Sequence, residues 1–393
     1  MSHRYLELES QVWNVDKCSG CGMCVAACSR GRLSFDPGMN HPTFVPKIKT
    51  VGLSISDVDT CSFCEGLCTE SCPRLKEWDN QEIGRLYAAK TTRACAGIPL
   101  NEVIIDLLSA GLVNGYFDSV LIMDMNKQDG KPSARVVHSV EELYQISGHQ
   151  AVWTPILSSL YKEILDKHIK KIAVVGPPCV AQAVKKVSDS ANDGLGILRD
   201  TLGISVAIFC PGFYEASILD DLSSRLKVSP ADILSIRRSA ANDILQVKLA
   251  SGRTEKIPVE EEQKYLRKGC ARCTDFLGEM ADISAGAFGS SEGYATLIAW
   301  NPIGNNFIQN CLNFGLIETN SDVNLEALEA ARSVKERRAR TQAFDSLLIY
   351  SLESLTDKRR LEEAKRLFMD LFGDKSQESQ KSSKSCGSGC VGC

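Results

Sequence analysis

Eight of the 17 cysteines in this 393-residue chain lie within its first 72 residues, in two runs, Cys18-Cys21-Cys24-Cys28 and Cys61-Cys64-Cys68-Cys72. Their spacings are C-x2-C-x2-C-x3-C and C-x2-C-x3-C-x3-C, and Pro73 follows the second run. Thiols this dense cannot be scattered through an ordinary apolar core. The segment has to fold, through short turn-rich loops, around whatever the thiols bind. A disulfide framework fits poorly: the opening MSHRYLELESQVW carries no secretory signal, and 17 cysteines in 393 residues is dilute for such a scaffold. Zinc sites also use C-x2-C pairs, but a structural zinc takes four ligands in two pairs, not two runs of four. An iron–sulfide cage suits the pattern better, because a short C-x2-C-x2-C loop wraps three corners of a cubane without strain.

The runs approach the bacterial double-cluster ferredoxin pattern, in which each run gives three thiolates to one cubane and its fourth to the other. That rule assigns Cys18, Cys21, Cys24 and Cys72 to one 4Fe-4S cluster, and Cys61, Cys64, Cys68 and Cys28 to a second. The chain departs from the pattern at Ser29, where proline is usual, and by one extra residue between Cys64 and Cys68. Electron transfer is therefore the first function implied.

Composition narrows the class. Hydrophobic residues at 44% and charged residues at 24% describe a globular chain long enough for two or three domains. A net charge of −4 without a long basic stretch argues against a nucleic-acid partner. No apolar run reaches the ~18 residues that span a bilayer; the longest candidate, Ile172 to Val184, is broken by Gly176, Pro177, Pro178 and Gln182. The expectation is a cytoplasmic protein, peripheral to a membrane complex only through a partner.

Residues 1–82 read as the ferredoxin-like domain. Beyond it, helical and apolar strand patterns alternate. Asn101 to Leu112 has helical spacing with Gly111 as its expected C-cap. Ser119 to Asp124 reads as a buried strand, and Val140 to Ile146 and Pro155 to His168 as helices. Lys171 to Gly176, a Gly-Pro-Pro turn and a helix over Val180 to Val187 make an α/β unit. Ile204 to Phe209 repeats the strand, ending at Cys210. Ile233 to Val259 looks β-rich, with a hairpin turn at Ser251-Gly252. A helical extension over 321–373 and a flexible tail over 374–393 complete the division, with 83–320 as the core.

Four further cysteines stand out. Cys179 and Cys210 each follow an apolar strand, where α/β folds gather loops at the carboxyl ends of the sheet. Cys270 and Cys273 form a C-x2-C pair. Together they offer four thiolates for a third cubane, although single strand-end cysteines are also common as small buried apolar residues. The glycines at 286, 289 and 293 suit a loop whose N–H groups approach a pyrophosphate, with Ser290 and Ser291 as hydroxyl donors and Tyr294 as a stacking ring. Read alone, such a loop is more often just a turn.

The stretch from about 88 to 317 resembles the family of coenzyme F420 hydrogenase and dehydrogenase β subunits. The matching residues are VGPPCVAQAVKK around Cys179, AIFCPGFYEA around Cys210, and KGCARCTDFLGEMADISAGAFGSSEGYATLI from Lys268 to Ile298. An N-terminal ferredoxin domain on such a core is the layout of the F420H2 dehydrogenase input subunit. The resemblance implies a mixed α/β (α+β) flavin-binding core that holds FAD and one 4Fe-4S cluster on Cys179, Cys210, Cys270 and Cys273. It places FAD contacts at Gly97, Ile98, Thr154, Gly286, Gly289, Ser290, Ser291, Gly293 and Tyr294. Coenzyme F420 is the implied hydride carrier, and the implied partners are other subunits of a hydrogenase, dehydrogenase or heterodisulfide-reductase complex. The chain differs from the family's usual residues at Ala96, at Pro211-Gly212 and at Gly148-His149-Gln150. A rival reading keeps only the clusters and makes the chain a relay without its own hydride substrate. Cys95 and Cys311 read as buried small side chains. The tail thiols Cys386, Cys390 and Cys393 read either as part of a metal site shared with another subunit or as a disordered tail.

Overall fold

The computed structural model describes residues 5–353, apart from 29, 37–38, 46–60, 62–63, 94–97, 127–129, 147–150, 240–243 and 259–262. The expectations for Cys95, Ala96, Gly97, Gly148-His149-Gln150 and the tail cysteines fall outside the described residues. Met1–Glu336 form one compact unit, and a second begins at Arg337, partway along the helix Leu325–Glu353.

In the cysteine-rich segment each run turns into a one-turn helix through a left-handed glycine. Gly22 (φ 92°) precedes Met23–Ala26, and Gly66 (φ 79°) precedes Leu67–Glu70. Only glycine adopts that conformation without a Cβ penalty. The extra residue of the second run, Glu65, is absorbed before its glycine. Cys24 and Cys68 therefore hold the same position in their helices, and Cys28 and Cys72 follow four residues later in both. A short ribbon of β1 (Leu33–Ser34) and β2 (Thr43–Phe44) closes this segment.

The core is a mixed sheet of eight strands. These are β3 (Arg85–Thr91), β4 (Ser119–Met125), β5 (Pro132–Val137), β6 (Ile172–Gly176), β7 (Leu202–Ile208) and, after the three-stranded antiparallel sheet of β8 (Ile233–Ser239), β9 (Ile244–Leu249) and β10 (Thr254–Pro258), the strands β11 (Ile283–Gly286), β12 (Ala295–Ala299) and β13 (Ile317–Asn320). The order across the large sheet is β13-β3-β12-β11-β7-β6-β4-β5. β4, β6, β7 and β11 run parallel, and antiparallel strands flank them on both sides. The parallel strands read as unbroken apolar runs because helices cover both faces; every residue of β4 and of β6 is buried. The hairpin turn expected at Ser251-Gly252 joins β9 to β10, with Gly252 at φ 84°.

Three helix boundaries differ from the sequence reading. The helix Pro99–Val113 runs through Gly111 and is capped at Asn114. Gly111 serves close packing instead: a Cβ there would run into the Phe117 ring and stand 3.0 Å from Phe307. Gly111→Ala should therefore cost about 1–3 kcal/mol in a chemical-denaturation series, as overpacking does. The helix expected from Pro155 begins only at Leu160, after a run of turns, and the one from Val140 stops at Leu143.

Candidate functional site

Parallel topology puts the carboxyl ends of β4, β6, β7 and β11 along one edge of the sheet, and the loops there carry the core cysteines. Cys179 stands at the start of the helix Pro178–Ser188, directly after β6. Cys210 follows β7, its N–H donating to the Phe276 carbonyl at 2.9 Å. Cys270 lies in the short helix Lys268–Ala271 and Cys273 just beyond it. All four line a single cavity of about 450 Å³, together with Cys21 and Thr154.

The N-terminal thiols sort across the two runs. Burial pushes Cys24 well above the ordinary thiol range, and neighbouring Cys72, Cys21 and Cys18 add to it. Cys72 itself is pushed up to about 12, by burial first and then by Cys21 and Cys18. Cys28 lies in the first run but lines a different cavity, of about 370 Å³, with Cys61, Cys64 and Cys68 of the second. The three sets adjoin in sequence. Cys21 belongs to the first and also faces the core thiols, raising Cys179 after burial has done most of that work. Cys24 feels Cys68 of the outer set. Cys28, Cys61 and Cys64 are partly exposed, whereas the core and middle thiols are mostly buried. Among the described residues, no three His, Cys, Asp or Glu side chains converge as the ligands of a single ion do.

Two cations that nothing in the sequence marks face the core thiols, Lys335 buried and Arg74 half-buried. Lys335, 4% exposed, comes from the helix Leu325–Glu353 and donates to the Cys210 carbonyl at 2.6 Å and the Asp275 carbonyl at 2.5 Å. Arg74 follows Cys72-Pro73 and lines the core cavity with its Nε shut off from solvent and unpaired. Burial opposes its charge, but Cys273 and Cys179 more than restore it. The same cations act on the thiols. Burial would raise Cys273, yet Lys335 and Arg74 together bring it down to about 7. Cys210 stays up at about 12, where burial outweighs Lys335.

A second, apolar cavity of about 420 Å³ lies at the same sheet edge. Ile122 and Met123 of β4, Val175 and Gly176 of β6 and Ile208 of β7 form one wall, and Asn101 and Ile104, from the start of the helix Pro99–Val113, form another. Ile156 lines both this cavity and the thiol cavity, so the two share a wall. Ile98 is the residue before that helix. Gly97 lies outside the described residues.

The Gly/Ser loop stands apart from both cavities. Gly286 ends β11 where a Cβ would collide with the Phe209 ring. Ser290 Oγ pairs with Thr296 Oγ1 at 2.6 Å, and Ser291 Oγ donates to Asp322 at 3.1 Å. Gly289 and Gly293 take left-handed turns, the Gly289 carbonyl accepting from Asn324, and the Lys90 ammonium lies 5.2 Å from the Tyr294 ring. The serine hydroxyls are thus spent within the protein, and the loop offers a ligand its backbone N–H groups. Cys311, 1% exposed, donates to the Leu107 carbonyl among apolar neighbours, a buried small side chain as its sequence suggests.

Among the described residues no helix is long and apolar enough to cross a membrane. Residues 169–324 match the family model for the C terminus of the coenzyme F420 hydrogenase/dehydrogenase beta subunit. An uncharacterised protein of Methanocaldococcus jannaschii is 28% identical over 364 residues, covering 86% of this chain and 98% of that one. A subunit of the F420H2 dehydrogenase of Methanosarcina mazei is 24% identical over 308 residues, covering 76% of this chain and 83% of that relative. The fold is shared with a chain of the F420-reducing NiFe hydrogenase complex from Methanosarcina barkeri, at a TM-score of 0.61 and 19% identity, over 68% of this chain and 93% of that one. The four core cysteines and the block from Lys268 to Ile298 all fall inside the matched stretch, so the part of this chain that carries them is similar to the C terminus of the coenzyme F420 hydrogenase/dehydrogenase beta subunit.

Proposed function

We propose that this chain is the flavin- and iron–sulfur-bearing subunit of a redox complex, exchanging electrons between coenzyme F420 and a protein partner. The observation that carries the reading is the grouping of twelve cysteines in three adjoining sets, from a buried cavity at the carboxyl ends of the parallel strands to a partly exposed one in the N-terminal segment. When bound, FAD would convert hydride into single electrons and three 4Fe-4S clusters would carry them.

The residues present suit those groups. Most of the middle and core thiols are held above the ordinary range by burial. Four such thiols cannot ionise together unless a positively charged metal core sits among them, and coordination deprotonates a thiol outright. Cys179, Cys210, Cys270 and Cys273 would hold the core cluster. Cys18, Cys21, Cys24 and Cys72 would hold the middle one, and Cys28, Cys61, Cys64 and Cys68 the outer one. Ile104, Ile122 and Ile208 make the apolar cavity a dry seat for a flavin ring, with Thr154 in the adjoining thiol cavity and Ile98 just before the helix that supplies Asn101 and Ile104. The shared wall at Ile156 keeps the flavin and the core thiols within one short step. Gly286, Gly289, Ser290, Ser291, Gly293 and Tyr294 would serve the rest of the cofactor through backbone donors. The exposed edge at Cys28 and Cys61 is where a partner protein would accept electrons.

Anaerobically purified protein should contain about 12 iron and one FAD per chain, at four irons per cubane. Reduced F420 should bleach its visible spectrum while NADH does not. Broad iron–sulfur absorption without a flavin peak would favour the relay without a hydride substrate. Colourless, iron-free protein after reconstitution would end the proposal.

A further inference from the structure

Arg74 belongs to the N-terminal segment in sequence but to the core cavity in space. Its side chain lines one cavity with Cys21 of the middle set and Cys179, Cys210, Cys270 and Cys273 of the core set. In the middle set it acts on Cys21 and adds to the stronger pull of Arg267 on Cys18. Lys335 reaches the core set from the opposite end of the chain and faces Cys210 and Cys273. The nearest opposing carboxylate, Asp275, is held by the Gln182 amide at 2.8 Å and the Gly278 N–H at 2.7 Å. At Cys273, Asp275 offsets part of the positive charge that Lys335 and Arg74 bring, and the two cations outweigh it. The orphaned Arg74 Nε, inside a cavity walled by thiols, marks a donor with its acceptor still to come.

Resting on the cluster assignment proposed above, we infer that Arg74 and Lys335 set how readily this chain takes up an electron: Lys335 governs the core four-thiol centre alone, and Arg74, lying between two centres, governs both. With those groups bound, the step would be a one-electron transfer, the flavin giving up the electron that the four-thiolate centre takes up. No bond to the protein forms or breaks, and no proton moves to a protein group. A reduced centre carries one more negative charge than an oxidised one. Cations beside it therefore stabilise the reduced form more, and potential follows charge and hydrogen bonds to the sulfurs. The arrangement keeps the core centre receptive after the middle one has filled, because Arg74 screens the repulsion between them.

The test uses full-length protein purified anaerobically, with potentiometric titration followed by the EPR signal of each reduced centre. Lys335→Met should make the core centre at least tenfold harder to reduce, a fall of about 59 mV for one electron, and leave the other two unmoved. Arg74→Met should shift the core and middle centres together and spare the outer one. Arg74→Lys, which keeps the charge, should restore at least half of that shift. The inference is overturned if potentials stay within twofold of wild type in variants with full iron content. It is equally overturned if all three centres move alike, or if Arg74→Lys behaves as Arg74→Met does. Should Arg74→Met fail to retain iron, Lys335→Met and Arg74→Lys decide the matter by the same readings. A wild-type protein without the core signal defeats the cluster assignment itself, whereas a wild-type signal with unmoved variants defeats only this inference.

Discussion

Cys270→Ala and Cys179→Ala should each lower the iron content by about four per chain, one cubane's worth, while the remaining eight or so stay bound. Removing one corner thiolate leaves a cubane held by three, and in this site the loss also leaves Arg74 and Lys335 facing a diminished anion. The matched control is Cys311→Ala. Cys311 is as buried as the core thiols, and burial pushes it, too, up to about 12. It stands among apolar side chains rather than beside other thiols, so its loss should cost packing alone, about 1 kcal/mol, and no iron. A third variant tests the crossing of the two N-terminal runs. Cys28→Ala should disturb the centre of Cys61, Cys64 and Cys68, with which it shares a cavity, and not that of Cys18, Cys21 and Cys24. Iron and sulfide analysis with EPR of the reduced protein reads all of these. Full iron retention in the Cys270 and Cys179 variants would show that the core thiols are ordinary buried side chains.

What could be read in advance follows from which forces are local. The matching placement of Cys28 and Cys72, four residues beyond Cys24 and Cys68, was legible because spacing after a one-turn helix is local geometry, and the extra Glu65 is taken up before Gly66. The strands β4, β6 and β7 were legible because a strand covered on both faces has to be apolar throughout. The insertion of β3 between β12 and β13 was not, since pairing between strands some 200 residues apart leaves no local trace. Gly111 misled for a related reason: the Phe117 ring fills the space a side chain would need, the distant Phe307 crowds it further, and neither placement shows in the helical pattern. Inward-facing cations were the largest omission. Arg74, Arg267 and Lys335 look like surface residues in sequence, because nothing beside them announces the carbonyls and thiols that enclose them. The apolar cavity was equally hidden, being assembled from the ends of three strands and one helix.

Arg267 carries the second large effect. It is 1% exposed and ties the cysteine-rich segment to the core through three kinds of contact. Its guanidinium donates to the carbonyls of Ser19 and Asn40, pairs with Glu215 at 3.2 Å, and lies 3.9 Å from the centroid of the Trp153 ring. Trp153 in turn donates to the Gly20 carbonyl at 3.0 Å, so the loop between Cys18 and Cys21 is gripped from two sides. Hydrogen bonds from a charged donor contribute about 1.5–3 kcal/mol each, and breaking a buried pair costs about 3–5 kcal/mol. These contributions overlap, and Glu215 keeps some solvent, its side chain being 26% exposed. Arg267→Met should accordingly cost about 3–4 kcal/mol. With the proposed centres bound, the chain would not unfold in two states, so the fitting measurement is local hydrogen exchange over residues 16–24. The neighbouring Lys268→Ala is the contrast. Its bridge to Asp16 spans 3.3 Å between side chains 63% and 42% exposed, where water already screens both charges, and its loss should change exchange by less than about 1 kcal/mol. If the segment opens no more easily in Arg267→Met than in Lys268→Ala, the buried arginine is not what holds the middle thiols against the core. The short route from core to middle set would then rest on Trp153 and the Leu157 N–H, which donates to the Cys21 carbonyl at 2.9 Å.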